Sequence, residues 1–197
     1  MSGSGVMSKT RLEAFSDGVL AIIITIMVLE LKVPHGGDLH ALEPQLPVFL
    51  SYLLSFVMTG IYWNNHHHLL HACQHVSAGI LWANLHLLFW VSLLPASTAW
   101  VGEYPANPLP AALQGVVFLM SGVAYTVLQR AIVARNGRGS KLAAAIGADV
   151  KGWASMAIYL LAIPLAMVSS RISYALYVLV ALIWFIPDRR VEAALHD

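Results

Sequence analysis

The chain has 197 residues, of which 58% are hydrophobic and 11% are charged, and its mean hydropathy is +0.71. Soluble domains carry about 25% charged residues, so this composition argues against a soluble fold and indicates a membrane protein. The net charge of +1 gives no reason to expect a nucleic-acid partner. Cys73 is the only cysteine, so no disulfide forms within the chain.

Six segments are apolar enough to predict membrane-spanning helices, each of which needs roughly 20 mostly apolar residues. In chain order they cover about 12–31, 46–70, 77–101, 109–134, 153–168 and 172–186. The linkers between them are short and carry the turn-forming residues, and residues 1–8 form a flexible leader. The sequence therefore predicts an all-α integral membrane protein, with a single six-helix transmembrane domain over residues 1–197.

Basic residues are distributed unequally between the two sides that these spans define. The outer segments hold only Lys32 and Arg171, and the other nine basic residues fall on the N-terminal side: Lys9, Arg11, Arg130, Arg135, Arg138, Lys141, Lys151, Arg189 and Arg190. Lys-rich and Arg-rich segments stay in the cytoplasm, so we expect both termini to be cytoplasmic. Three acidic residues in the outer loops predict a mouth that attracts cations.

The first span carries a narrow stripe along one face. Because successive helical residues are about 100° apart, Gly18, Ile22, Thr25 and Leu29 share a face, and Asp17 lies about 140° from Ile22. The stripe either lines a narrow apolar passage or packs on a neighbouring helix, with Thr25 bonded to its own backbone. An acid in a span is costly, so Asp17 is either a structural anchor or a direct participant in transport.

Polar side chains on the next two spans supply partners for this acid. With the N-terminus inside, the start of span one, the end of span two and the start of span three meet at the inner face. We therefore expect one polar layer there, containing Arg11, Ser16, Asp17, His66, His67 and Asn84.

Other chemistries are weakly indicated. His67, His71 and His75 recur every four residues, but no carboxylate is placed to complete a metal site, so no metal is expected. No HExxH or GxSxG motif is present, so no enzyme and no cofactor are predicted. A cation- or proton-coupled secondary transporter stays open as an alternative function, and a metal-dependent membrane enzyme as a further one.

Several motifs resemble a known family. Arg11 followed by Phe15-Ser16-Asp17-Gly18 and an apolar run with Thr25 is similar to the signature helix of the transmembrane protein 175 family of potassium channels. The segment Trp63-Asn64-Asn65-His66-His67 resembles the family's second-helix motif. Trp82-x-Asn84 and Leu93-Leu94-Pro95 resemble its third-helix motifs. Spans four to six match in number and hydropathy.

This resemblance implies a potassium-selective channel whose first helices line the pore, with Phe15 and Asp17 in the polar network beside it. It implies that Ile22 forms a hydrophobic constriction, with Thr25 and Leu29 on the following turns. One copy of the Phe-Ser-Asp motif resembles prokaryotic members, which assemble as homotetramers, here in a bacterial cell membrane. The implied partners are further copies of the chain, the lipid bilayer and potassium ions as the permeant species.

Overall fold

The protein was analysed as a computed structural model that describes residues 8–137 and 149–185. Within these ranges the chain forms seven α-helices and one short 3-10 helix, Leu39–Gln45, and no strand. The α-helices are α1 (Lys9–Val28), α2 (Leu46–His71), α3 (Ala78–Val91), α4 (Leu94–Glu103), α5 (Pro108–Asn136), α6 (Val150–Leu165) and α7 (Ser170–Phe185). Counting α3 and α4 as one span, they follow the six predicted spans in order, and the all-helical prediction is confirmed.

The ends of the chain are only partly covered by these helices. Residues 1–7 of the expected leader lie outside the described residues. Ser8 belongs to the folded part instead, because its side chain accepts a hydrogen bond from the Arg11 amide and caps α1. Ile186, the last residue of the sixth predicted span, also lies outside the described residues.

The third predicted span is broken into two helices. Pro95 lies in the first turn of α4, where its missing amide hydrogen costs nothing, whereas inside a continuous helix it would remove one hydrogen bond. The Leu93 and Leu94 positions therefore mark the end of one helix and the start of the next. Together α3 and α4 still supply one apolar crossing, over Ala78–Glu103.

The helices differ in whether their length and composition suffice to cross a membrane. Among the described residues, three helical segments are long and apolar enough to cross a membrane: Leu39–His71, Ala78–Glu103 and Pro108–Arg135. The apolar helices α6 and α7 have 16 residues each, or about 24 Å, somewhat less than the roughly 30 Å hydrocarbon core. The 20-residue α1 carries charged residues over its first half, at Lys9, Arg11, Glu13 and Asp17.

α1 and α7 share α2 as a neighbour and otherwise pack on different helices. α1 packs on α2, α3 and α4, whereas α7 packs on α2, α5 and α6. The core between α5, α6 and α7 is aromatic: the Phe118 ring lies 5.6 Å from that of Tyr159 and 5.4 Å from that of Tyr177. The Tyr177 hydroxyl donates to the Ala111 carbonyl at 2.8 Å, which ties α7 to α5.

Gly115 permits this close approach of α5 and α7. A Cβ atom at this position would overlap the Tyr177 hydroxyl and lie 2.9 Å from the Ile163 side chain. A hydrogen at the glycine Cα is therefore the largest substituent that the packing accepts without a shift of the neighbouring helices.

Candidate pore face and polar network

One face of α1 is exposed in the single chain. Ile22 is 58% exposed and Leu29 is 77% exposed. Thr25, which lies between them, and Gly18, which precedes them, are exposed as well. The opposite face of the same helix is buried, with Leu20, Ile23 and Met27 all at 3% or less. The apolar stripe predicted from the sequence is therefore not used for packing within the described part of the chain.

Thr25 supplies the hydroxyl on this face. Its Oγ1 donates to the Ile22 carbonyl at 2.9 Å, so the hydrogen points back along the helix. The oxygen keeps its lone pairs, which are the acceptors that a cation needs. At Gly18, one turn before Ile22, an added Cβ would meet no atom within 4 Å, so the space beside the stripe is open.

A buried hydrogen-bond chain lies at the charged end of α1. Asn84 donates through Nδ2 to Ser16 Oγ at 2.9 Å, and Ser16 donates to the Leu12 carbonyl at 2.9 Å. His66 Nε2 lies 2.6 Å from Asn84 Oδ1, and it must carry the hydrogen because that oxygen has none. All three side chains are buried, and they join α1, α2 and α3. This row of hydrogen bonds contains three of the residues expected in the polar layer: Ser16, His66 and Asn84.

The other expected members lie outside this buried chain. Asp17 is exposed, because it follows Ser16 by about 100° and only one of the two faces the core. Its Oδ1 accepts from the Trp63 indole at 3.0 Å, and the Trp63 ring stacks on His67 at 6.1 Å. Arg11 and Phe15 are both exposed, and Phe15 reaches 50%. The residues expected in one layer therefore form two groups. Ser16, Asn84 and His66 are hydrogen-bonded and buried, and Asp17, Trp63 and His67 form a separate group at the exposed edge of α1.

Trp63 was missed as a functional candidate in its own right. The signal was present, since an indole has one hydrogen-bond donor and Trp63 opens the Trp-Asn-Asn-His-His motif. Its position one turn before His66 and His67 places it at the depth of Asp17.

The helical face with three histidines does not form. α2 ends at His71, and Ser77 already caps α3, so His75 lies in the short connection rather than on the helix. The rings of His67 and His71 remain neighbours, at 6.3 Å. Among residues 8–137 and 149–185, no three His, Cys, Asp or Glu side chains are grouped as a metal site would need.

Comparison with known proteins assigns the family. Residues 11–95 match the family model described as "Endosomal/lysosomal potassium channel TMEM175". A protein named as a potassium channel, from a Chryseobacterium species, is 52% identical over 191 residues, which is 97% of this chain and all of that protein. The chain belongs to the TMEM175 family. The matched segment contains both the stripe on α1 and the buried Ser16–Asn84–His66 chain.

Solved and animal TMEM175 relatives extend this result. The crystal structure of a lysosomal potassium-selective channel TMEM175 homolog from Chamaesiphon minutus superposes with a TM-score of 0.78. It is 27% identical and covers 91% of this chain and 97% of its own. The human relative, named as an endosomal/lysosomal proton channel, is 36% identical over 115 residues, or 52% of this chain and 23% of the human protein. The helical architecture is therefore that of the TMEM175 channels.

Proposed function

We propose that this TMEM175-family protein is a potassium-selective channel of the bacterial cell membrane, that it conducts as a homotetramer, and that α1 lines the pore. The observation that carries the proposal is the exposed face of α1, which is apolar except for one hydroxyl and has no packing partner in the described chain. The names of the bacterial relatives and of the Chamaesiphon structure support potassium as the permeant ion.

The mechanism follows from four copies of this face around an axis. Four Ile22 side chains form an apolar ring that a hydrated ion passes poorly, and such rings gate by losing or gaining water. Four Thr25 oxygens on the next turn replace part of the hydration shell of a cation. Leu29 forms a second apolar ring towards the other mouth. A small rotation of α1 widens the constriction.

The polar network sets the rotation of α1 about its own axis. Ser16, Asn84 and His66 fix the buried side of the helix to α2 and α3, and the Asp17–Trp63 bond fixes its edge. We propose that these residues position the pore face and do not bind the ion, because Ser16 and Asp17 lie on other faces of α1 than Ile22 and their partners lie on α2 and α3. Arg11 and Phe15 complete the same end of the helix.

We also propose that both termini are cytoplasmic. Contacts between helix ends that carry basic residues support this orientation. Lys9 Nζ, at the start of α1, donates to the His71 carbonyl at the end of α2 at 2.6 Å, and Arg130 of α5 lies 5.7 Å from the Trp153 ring near the start of α6. Among the basic residues assigned there, Arg138, Lys141, Arg189 and Arg190 lie outside the described residues. As a channel, the protein is proposed to have no enzymatic activity, no metal site and no cofactor.

Planar bilayers with the purified protein, under opposed gradients of potassium and sodium, test the proposal. We expect unitary current steps that reverse near the potassium equilibrium potential. Transport without unitary steps would identify a secondary transporter, and reversal near zero would identify a non-selective pore. Reversal that follows an imposed proton gradient would favour the second candidate, a proton channel, which the names of the animal relatives suggest.

A further inference from the structure

The exposed face of α1 continues past the stripe towards the N-terminal end of the helix. Counted from Ile22 at about 100° per residue, Phe15 lies at about +20° and Arg11 at about −20°, so both share its face. Arg11 is exposed and Phe15 is 50% exposed, whereas Leu12 and Ser16 between them are buried. The face without a packing partner therefore begins at Arg11, about 17 Å before Ile22 along the helix axis.

The Arg11 guanidinium forms no ion pair, hydrogen bond or ring contact with the described residues. The acids closest to it along the helix point elsewhere. Glu13 Oε1 lies 3.9 Å from Lys9 Nζ, and Asp17 lies about 120° from Arg11 around α1. The positive charge of Arg11 is therefore uncompensated on the face that it shares with Ile22.

The two ends of this face differ in charge. At the far end, Glu30 and Lys32 are both exposed and follow Leu29 within three residues, so charges of opposite sign lie close together there. At the near end, Arg11 has no acid on the same face. In the proposed function, on which this inference rests, four copies of α1 surround the pore. One mouth then carries four uncompensated positive charges, and the other mouth has no such excess.

We propose that the four Arg11 side chains form a ring at the cytoplasmic mouth and set how readily potassium enters from that side. A positive ring repels cations, so the potassium concentration at this mouth is lower than in the bulk solution. A potential of about one kT lowers it roughly threefold. The channel therefore passes potassium into the cell more easily than out of it.

The salt concentration determines how far this ring acts. The Debye length is about 10 Å at 0.1 M salt and about 3 Å at 1 M, whereas Arg11 lies about 17 Å from Ile22 along the helix. At 0.1 M salt the ring therefore acts on entry and leaves the choice of ion at Thr25 unchanged. Its effect on entry grows as the salt concentration falls and disappears in concentrated salt.

Single-channel recordings in inside-out patches test this assignment on the full chain. Patches from giant bacterial spheroplasts keep the orientation of the membrane, so the bath faces the cytoplasmic side. In about 20 mM symmetric KCl we expect an inward current roughly threefold larger than the outward current at equal and opposite voltages, and in about 1 M KCl equal currents.

Charge variants connect this rectification to Arg11. Arg11→Gln is expected to raise the outward current roughly threefold at low salt, with an unchanged reversal potential under mixed potassium and sodium. Arg11→Lys keeps the charge and should keep the rectification. Lys9→Gln is the matched control, because Lys9 lies about 160° from Arg11 around α1 and its Nζ donates to the His71 carbonyl. It should leave the rectification unchanged.

Arg11→Cys distinguishes charge from structure within one patch. A positively charged methanethiosulfonate reagent in the bath should restore the rectification, and a negatively charged one should reverse it. A residue with a merely structural role does not respond to the sign of the reagent. Lys9→Cys should show neither effect. The natural Cys73 is only 1% exposed, so it gives no background reaction.

Two results would overturn the ring and leave the proposed channel intact. The first is potassium-selective steps of equal size in both directions at low salt. The second is a lower oligomer yield of Arg11→Gln with unaltered rectification, which would assign the guanidinium to a contact between copies. If that variant does not assemble, the salt dependence of the unmodified channel decides. Absence of unitary steps in the unmodified protein would instead overturn the proposed function, and the ring with it.

Discussion

The Thr25 hydroxyl donates its hydrogen within α1 and keeps its oxygen lone pairs available as acceptors. Its hydrogen goes to the Ile22 carbonyl, which fixes the rotamer and turns the oxygen lone pairs towards the exposed face of α1. Ile22, one turn earlier, offers only methyl and methylene groups to the same space. If this face lines the pore as proposed, we expect the two positions to influence ion passage differently, Ile22 through wetting and Thr25 through coordination.

Ile22→Asn is expected to raise the current severalfold, because a polar ring stays wet where the apolar ring excludes water. Thr25→Ala is expected to shift the reversal potential towards that of a non-selective pore, because it removes the hydroxyl from the stripe. Planar-bilayer recordings under mixed potassium and sodium measure both. Thr59→Val, which alters a buried hydroxyl of α2, is the control and should leave the reversal potential unchanged. If neither α1 variant changes its own quantity, this face does not line the pore.

Asn84→Leu is expected to lower the free energy of unfolding by about 2 to 4 kcal/mol. The substitution leaves His66 Nε2–H buried without an acceptor and removes the donor to Ser16, and each unpaired buried group costs about 1 to 3 kcal/mol. Thermal unfolding of the purified protein in detergent measures the loss. Ser121→Ala, which alters a buried hydroxyl outside this network, should cost much less. Equal effects in the two variants would contradict a structural role for the chain of hydrogen bonds.

Asp17→Asn should impair assembly or gating while leaving the selectivity of the remaining channels nearly unchanged. The Asp17 carboxylate accepts from the Trp63 indole at the edge of α1, away from the stripe. Asp17→Asn keeps an acceptor oxygen but removes its charge, which weakens this hydrogen bond, whereas Trp63→Phe removes the donor, so the two variants should change the protein in the same direction. Oligomer yield and reversal potential are the measurements. A large change of selectivity with normal assembly would make Asp17 part of the ion pathway.

At the level of helices, hydropathy predicted α2 almost to the residue, because α2 is long, apolar and bounded by breaker residues. It did not predict that the third span is two helices, since hydropathy is blind to the missing amide hydrogen of Pro95. Helical angles placed Asp17 away from the stripe, but the expected polar layer did not separate it from Ser16, and the Trp63 donor was not predicted. That contact depends on how α1 and α2 cross, which is set by packing across the whole bundle.

The contact of α5 with α7 gives a sharp test of packing. Gly115→Ala is expected to cost about 1 to 3 kcal/mol, because its Cβ overlaps the Tyr177 hydroxyl and forces that side chain off Ala111. Gly122→Ala is the matched control on the same helix, since its Cβ would meet Met156 at an ordinary 3.7 Å. Unfolding in detergent compares the two. A destabilisation by Gly122→Ala as large as that by Gly115→Ala would contradict the close approach at Gly115.

At the scale of the whole molecule, the described residues leave one face of α1 without a packing partner. The polar network orients α1, yet the face so oriented contacts nothing within the described chain. In the proposed homotetramer, four copies of this face meet around the symmetry axis.

Ile22→Cys should therefore form disulfide-linked dimers on mild oxidation, and native mass spectrometry should show four copies of the chain. The natural Cys73 is only 1% exposed and gives no background reaction. Leu160→Cys, 63% exposed on α6, is the control and should stay unlinked, because a disulfide needs Cα atoms within about 7 Å. A monomeric mass with no linked species would contradict the tetramer.

The charged N-terminal half of α1 also has a consequence for how the protein is made. α1 leaves the ribosome before α2 and α3, with Arg11, Glu13 and Asp17 in its N-terminal half, and each charge weighs against entry into lipid. The indole that bonds Asp17 is 46 residues further on, and the amide that bonds Ser16 is 68 residues further on. At about 5 to 20 residues per second, several seconds of translation separate α1 from its partners. The helix proposed to line the pore therefore reaches its final position only after α3 has been synthesised, although it precedes both of its partners in the chain.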